Sequence, residues 1–543
     1  MKSELTSALK NVLLALDYPD MPIVIQLPKD PKHGDFSSNL AMQLAGKLEF
    51  NSREIAKTIA VKLENDYPQL VESAKIAGPG FINIHIQKGK IVSQIINVLK
   101  KDSDFGKSEL GGGGKALVEF VSANPTGPLT VGHGRGAILG DVVSNILQWN
   151  GYDVEREYYY NNAGRQMKRL GQSVQARYLE LLGNPVEFPE DGYEGEYIID
   201  IARNLMEKRG NVLKETDNLA TVTQAAEKSL FQDIKSTLGN IGIKFDRYFN
   251  EQSLYESGSL EVVLEELQKK DLIYKEDGAT WFRASAVGRE QNRVMIKSTG
   301  EPTYRLPDIA YHRDKFDRGY DLMVDVLGAD HMDAYPDVMA GVEQLGYNPD
   351  KVTVLIHQFV TLTRNGKPIK MSTRKAQYVT LDELIDEVGA DVVRYFFLMR
   401  GMNSHLNFDM DLARDESDEN PVYYLQYAHA RLCNIIKHAE SMGHRVNVKT
   451  NLTPLTLQSE IQLIKNLMEF PTIVERAHGS LEPQSIANYL QELAGNFHRY
   501  YAKERVVSDD QEKTSARLVL VQALKIVLCN GLKIMGIHAP ERM

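Results

Sequence analysis

The chain has 543 residues, 43% hydrophobic and 25% charged, so it is too long for one core and composed like an ordinary globular protein of about three domains. No stretch approaches the roughly 18 apolar residues of a membrane span. Its two cysteines, Cys433 and Cys529, sit in apolar helical runs that predict buried, reduced thiols and a cytosolic address. A net charge of −10 argues against a generally basic nucleic-acid binder, yet residues 421–543 hold 14 Lys and Arg against 11 Asp and Glu. The C-terminal part therefore stays available as an RNA surface.

The first twenty residues, MKSELTSALKNVLLALDYPD, mix acids into their apolar positions and lack a cleavage pattern, which predicts a helix near 3–16 and no signal peptide. A second helical run covers 52–65, and the strand FINIHI (81–86) follows the turn Gly78-Pro79-Gly80. Residues 1–110 thus read as an α+β domain closed by KKDSDFGKSELGGGGK (100–115), a polar, glycine-rich linker. Next come the strand KALVEFV, a helix from about 136 and the strand YDVEREYYY, the rhythm of a parallel α/β sheet.

From about 163 the pattern turns helical, as for an insertion reaching about 295 within a Rossmann-like domain over 111–400. Strand-like segments return at 280–284, 293–298, 322–328 and 352–362. Beyond Asn420 everything reads as helix. Leu425, Ala428, Leu432, Ile435 and Ile436 share one face, and SARLVLVQALKIVLCNGLKIMG suits the centre of a bundle that ends at Gly536 and Pro540. The predicted architecture is α/β with a helical insertion, an α+β N-terminal domain and an all-α C-terminal domain over 401–543.

Chemistry concentrates in SANPTGPLTVGHGRGAILGD (122–141), where Gly132, Gly134 and Gly136 surround His133 and Arg135 at a helix entrance. Unpaired N–H groups and a positive dipole end make that entrance a phosphate site. A P-loop is not the device, because Lys101 stands where the first glycine before Gly106-Lys107-Ser108 should be. A dinucleotide fingerprint fits Gly132 to Ala137, with Glu155 in the place of a ribose-binding acid. Against that nicotinamide-type oxidoreductase, Pro125 and Pro128 stiffen a long approach where a dinucleotide loop turns tightly. In a third device the His133 imidazole and nearby N–H groups hold an α-phosphate under attack by a carboxylate. From this motif alone, His133 could equally be a helix cap.

A second segment bears on the choice. In VTLTRNGKPIKMSTRKAQYVTLDELIDE (360–387), Asn365-Gly366 predicts a tight hairpin and Thr380 to Glu383 a capping box. Between them Lys370, Arg374 and Lys375 form a cationic loop suited to a pyrophosphate leaving group, or a solvated charge run.

Thr130-Val131-Gly132-His133 together with Lys370-Met371-Ser372-Thr373-Arg374 resembles the HIGH and KMSKS signatures of class I aminoacyl-tRNA synthetases. YRLPDIAYHRDKF (304–316), VLGADH (326–331), DVVRYFFL (391–398), NPVYYLQYAHAR (420–431) and the final APERM narrow the likeness to arginyl-tRNA synthetases. HGDFSSNLAMQLA (33–45) and GPGFINIHI (78–86) are similar to that family's extra N-terminal domain. Two positions depart from the pattern: Thr130 replaces a histidine and Thr373 a lysine.

The resemblance implies arginyl-adenylate formation from ATP with Mg2+, then transfer to tRNA(Arg), without an enzyme nucleophile, structural zinc or membrane partner, in a cytoplasmic monomer. It implies catalytic roles for His133, Lys370, Thr130 and Arg374. For ATP it implies Pro125, Gly132, Gly136, Gly328, Asp330, His331, Met371 and Ser372. For L-arginine it implies Glu119, Ser122, Asn124, Tyr304 and Asp308, and for tRNA Phe81, Asn83, Tyr424, Gln426, Tyr427 and Arg431. Another class I ligase and a protein that only binds RNA are the rival readings.

Overall fold

The computed structural model describes residues 1–26, 28, 30–213, 218–369 and 379–543; Lys370, Met371, Ser372, Thr373, Arg374 and Lys375 lie outside the described residues. At the N-terminus β1 (Ile25–Gln26), β2 (Phe36–Ser38), β3 (Val71–Ala77) and β4 (Phe81–Ile86) form an antiparallel sheet in the order β1-β2-β4-β3. The helices Lys2–Ala15 and Ser52–Asp66 accompany it, and each buries the apolar stripe read from its sequence: Leu5, Leu9 and Val12 in the first, Ile55, Ile59 and Leu63 in the second.

Residues 100–115 are not a free linker. Asn530 Nδ2 donates to the carbonyls of Asp102 and Phe105 at 2.9 and 3.0 Å. Ser108 N–H donates to the Trp149 carbonyl. Gly106, at φ +101°, lies so close to Phe470 that an added Cβ would stand 2.4 Å from the ring. The glycines let the backbone fold tightly against the C-terminal helices, a use of glycine that composition does not distinguish from slack.

The central sheet is parallel throughout. Its strands β5 (Lys115–Glu119), β6 (Asp153–Tyr160), β7 (Arg247–Asn250), β11 (Leu322–Gly328) and β12 (Val352–His357) lie in the order β12-β11-β5-β6-β7. Between β6 and β7 the helices Gly164–Leu181, Glu196–Arg209 and Leu219–Asn240 pack around their own core of Leu170, Tyr178, Ile198 and Val222. β7 then returns to the main sheet, so the inserted region near 163–295 is in two parts. The second part carries the antiparallel trio β8 (Ile273–Glu276), β9 (Ala279–Phe282) and β10 (Arg293–Ile296).

After β12 the chain forms β13 (Val360–Arg364) and β14 (Lys367–Pro368), joined through Asn365 and Gly366, both at positive φ as the hairpin signal requires. β15 (Leu406–Asp409) pairs with β13, which ties residues just past 400 to this region. The four long C-terminal helices are Pro421–Ser441, Gln458–Ser480, Gln484–Tyr501 and Gln511–Ile534. The last is apolar enough by length and composition to cross a membrane, but 78% of its apolar window is buried inside the protein. It is the core helix of a bundle, and it also packs against the helix Val131–Trp149.

Candidate active site

The chain leaves β5 for β6 on one side and returns through β11 on the other, so the carboxyl ends of β5 and β11 flank a switch point of the kind where open α/β sheets take ligands. The helix Val131–Trp149 begins there. Its first turn is a capping box: Thr130 N–H donates to His133 Nδ1 at 3.1 Å, and His133 N–H donates to Thr130 Oγ1. His133 is therefore a cap, and the cap fixes its tautomer. With Nδ1 accepting, the ring proton sits on Nε2. Burial lowers the His133 pKa against the opposing pull of Asp330, so at neutral pH the ring is an uncharged donor.

The capping box consumes two of the orphan N–H groups of the first turn, and those of Val131 and Gly132 have no intrahelical acceptor. Of Gly132, Gly134, Gly136 and Gly140, Gly132 faces open space, with Thr130 Oγ1 3.7 Å from a notional Cβ. The others serve packing. An added Cβ at Gly134 would meet Leu381 at 2.6 Å, at Gly136 the His357 ring at 2.8 Å, and at Gly140 Phe120 at 2.2 Å. Gly136 lies beyond the first turn, where its N–H belongs to the helix ladder, and its missing side chain makes room for His357. Arg135 is wholly buried and donates to the carbonyls of Gln358, Gly401 and Ser404, clamping the helix to neighbouring loops.

The described chain that follows the cationic segment stands close by. Thr380 forms a β-bridge with Thr130, and Leu381 N–H donates to the Leu129 carbonyl at 2.8 Å. Thr380 and Leu381, the described residues just past the cationic segment, are thus tied to the helix entrance. Thr380 caps the next helix with Glu383, as its spacing predicts. On the facing strands, Gly328 ends β11 before exposed Asp330 and His331, whose side chains approach to 3.6 Å. His357 ends β12, and burial, reinforced by Arg135 and His133, pushes its pKa down to about 4. Pro125 is buried in the approach loop.

The amino-acid side of the crevice is acidic. Val121 and Ser122 take left-handed backbone angles, φ +70° and +46°, directly after β5, a strain that functional loops store. Glu119 is 6% exposed, with Oε1 accepting from Ser122 Oγ at 2.8 Å and Oε2 from Lys315 Nζ at 2.6 Å. Asn124 Oδ1 accepts from Asn161 N–H, and its Nδ2 donates to Gln166. Tyr304 is exposed at the start of the helix Arg305–Asp317, which carries Asp308.

No described residue donates a hydrogen bond to the Asp308 carboxyl. Burial, with Glu119 and Glu251 nearby, pushes its pKa up to about 7 against the pull of His312 and Lys315. Glu251, just past β7, accepts from Tyr159 OH and Asn161 Nδ2 at 2.6 Å each. Sequence reasoning missed Glu251. Its one signal is position, at the carboxyl end of a parallel strand, and β7 is too short to stand out inside a helical stretch.

The RNA-contact expectations separate. Phe81 is 36% exposed, whereas Asn83 is 6% exposed and accepts from Ser37 Oγ, which leaves it little surface for an external partner. Gln426 Nε2 donates to Asp391 Oδ2 and to the His538 carbonyl, so it holds the chain's end to the catalytic region. Both side chains thus have partners within the chain. Tyr424, Tyr427 and Arg431 gather around His498, with Arg431 4.3 Å over the Tyr427 ring and Tyr424 4.5 Å from the His498 ring. Such half-exposed cation–aromatic groups suit stacking of unpaired bases.

Known proteins match this arrangement along the whole chain. Residues 1–86 fit the arginyl tRNA synthetase N terminal domain, 94–395 the catalytic domain of tRNA synthetases class I (R), and 425–543 the DALR anticodon binding domain. The arginine–tRNA ligase of Desulfotalea psychrophila is 52% identical over 96% of this chain and 94% of its own. That of Salinibacter ruber is 48% identical over the full length of both. Among solved structures, a putative arginyl-tRNA synthetase from Campylobacter jejuni superposes with a TM-score of 0.78 at 34% identity, covering 84% of this chain and all of its own. The Thermus thermophilus arginyl-tRNA synthetase, 21% identical, shares the fold at a TM-score of 0.76 over the full length of both. With its strand-end acidic pocket and histidine-capped helix entrance, the chain belongs to the arginyl-tRNA synthetases, class I ligases that join arginine to its tRNA.

Proposed function

We propose that the crevice works in two halves, an acidic pocket for L-arginine and a helix entrance for the ATP phosphates. The observation that carries this reading is Asp308, a carboxyl without a donor among the described residues, whose neighbours Glu119 and Glu251 are also acids. Such a group calls for a further cation. A guanidinium supplies one, with paired N–H donors that match two carboxylates. Asp308 and Glu251 receive the guanidinium with Tyr304 at the rim, while Glu119, held by Ser122, and Asn124 face the α-amino end.

The substrate carboxylate then attacks the α-phosphate of Mg-ATP, and acceleration comes from alignment and charge stabilisation. His133 Nε2–H and the N–H groups of Val131 and Gly132 hold the phosphate. Being uncharged, His133 donates without competing for the attacking carboxylate. Gly328, Asp330 and His331 take the ribose end and Pro125 shapes the approach. Lys370, supported by Met371 and Ser372, balances the charge that grows on pyrophosphate, with Arg374 in reserve for the lysine absent at Thr373. A ribose hydroxyl of the tRNA terminal adenosine then takes the arginyl group.

Thr130 fits this scheme despite departing from the family pattern, because the bond that sets the His133 tautomer comes from its backbone N–H. Tyr424, Tyr427 and Arg431 read the anticodon arm and Phe81 touches the tRNA elbow. The enzyme works in the cytoplasm as a monomer. ATP–pyrophosphate exchange with arginine and tRNA(Arg), run against a panel of other amino acids, tests the reading: exchange confined to arginine is expected. No exchange above blank would leave only RNA binding.

A further inference from the structure

Beneath the acidic pocket lies a set of buried charges that neither reaction step uses. Lys315 is 0% exposed, and its Nζ stands 2.6 Å from both Glu119 Oε2 and Asp325 Oδ1. Asp325, on β11, meets His312 Nε2 through its other oxygen at 2.8 Å, and His312 Nδ1 lies 2.8 Å from the Asp308 backbone carbonyl. A carbonyl oxygen and a carboxylate both only accept, so both ring nitrogens of His312 donate, which is the imidazolium form. Two cations, Lys315 and His312, thus balance two anions, Glu119 and Asp325. Among the described residues, Asp308 and Glu251 are left without an ion-pair partner.

We propose that Lys315 and His312 are positioning residues for amino-acid selection: they fix the Glu119 carboxylate and the helix turn bearing Asp308, and supply the positive charge that lets Asp308 ionise for the incoming arginine. This rests on the arginine-pocket reading above. The groups facing the pair are Glu119 on β5, Asp325 on β11, Asp308 on the same helix, and Tyr311, whose ring lies 4.3 Å from Lys315 Nζ and whose OH donates to Glu157 on β6. Against the penalty of burial, Lys315 and His312 hold the Asp325 carboxyl well below the usual carboxylate range. The same two charges pull Asp308 down while burial, Glu119 and Glu251 push it up. Removing either cation therefore keeps Asp308 protonated to higher pH.

The test is exchange by the full-length protein with tRNA(Arg) between pH 5.5 and 8, reading arginine KM and ATP KM separately. For Lys315→Met and His312→Gln the arginine KM should rise at least about tenfold at pH 7, with ATP KM within about twofold. The acid limb of the arginine profile should move alkaline by about one pH unit, and Lys315→Arg should recover part of both effects. Because Lys315→Met strands two buried carboxylates, His312→Gln, which keeps a donor toward Asp325, decides the matter if Lys315→Met does not fold. Both KM values rising together, or an unmoved acid limb, would overturn the proposal. Asp308→Asn serves as the control: if it too leaves the arginine profile unchanged, the pocket reading itself fails, whatever Lys315 does.

Discussion

Arginine binding should be coupled to the loss of a proton from Asp308, and the size of the effect follows from its surroundings. Burial and two neighbouring carboxylates hold this group at about 7 in the free protein. Well below that pH few molecules carry the charge that a guanidinium seeks, and well above it most do. The bound guanidinium stabilises the carboxylate, so the group gives up its proton on binding. Arginine affinity should fall as pH drops below 7, about tenfold for each unit, and level off above 7.5. The assay is arginine KM in the exchange reaction from pH 5.5 to 8, with titration calorimetry in two buffers of different ionisation enthalpy to count released protons. About half a proton should leave at pH 7 and nearly one at pH 6. Asp308→Asn should flatten the profile and raise the plateau KM by about 10- to 150-fold, the range of a lost charge-assisted hydrogen bond. It should also erode discrimination against citrulline, which has no charge to match. A KM independent of pH across this range, with no proton released, would refute the argument.

Glu251→Gln should raise arginine KM by about 10- to 100-fold while leaving ATP KM unchanged; equal effects on both would remove it from the pocket. Gly140→Ala drives a methyl to within 2.2 Å of buried Phe120 and should cost about 1–3 kcal/mol in denaturant unfolding. Gly132→Ala, facing open space, should be neutral or gain up to about 1 kcal/mol; equal losses at the two sites would contradict the packing account. His133→Ala should slow exchange by about 10²–10³ yet lower stability by only about 1 kcal/mol, the scale of a helix cap. Lys370→Ala should lower the exchange rate with arginine KM intact, and a matching rise in KM would reassign it.

Alternation of strands and helices, the helical end and the two signature segments were all readable from the chain, because periodicity and turn chemistry are local properties. The Asn365-Gly366 hairpin and the Thr380 capping box formed where their residues stand. What escaped depends on contacts between segments distant in sequence. Three of the glycines near His133 exist because Leu381, His357 and Phe120 press against the helix, and none of those neighbours can be inferred from the motif. Residues 100–115 read as slack because glycine marks flexible and tightly packed backbone alike. Glu251 and Lys315 look like ordinary surface charges in a one-dimensional pattern, and only the sheet order turns them toward Asp308 and Glu119. His133 posed two readings, cap or phosphate ligand. The hydrogen bonds make them compatible, since capping through Nδ1 leaves Nε2–H out of the cap.

The most direct test of the two-part crevice is a crystal structure of the protein with a non-hydrolysable arginyl-adenylate analogue. The guanidinium should lie between Asp308 and Glu251, and the phosphate-equivalent group within hydrogen-bonding distance of His133 Nε2 and the Val131 and Gly132 N–H groups. A ligand whose guanidinium points to solvent, or whose phosphate mimic lies away from that helix entrance, would contradict the assignment.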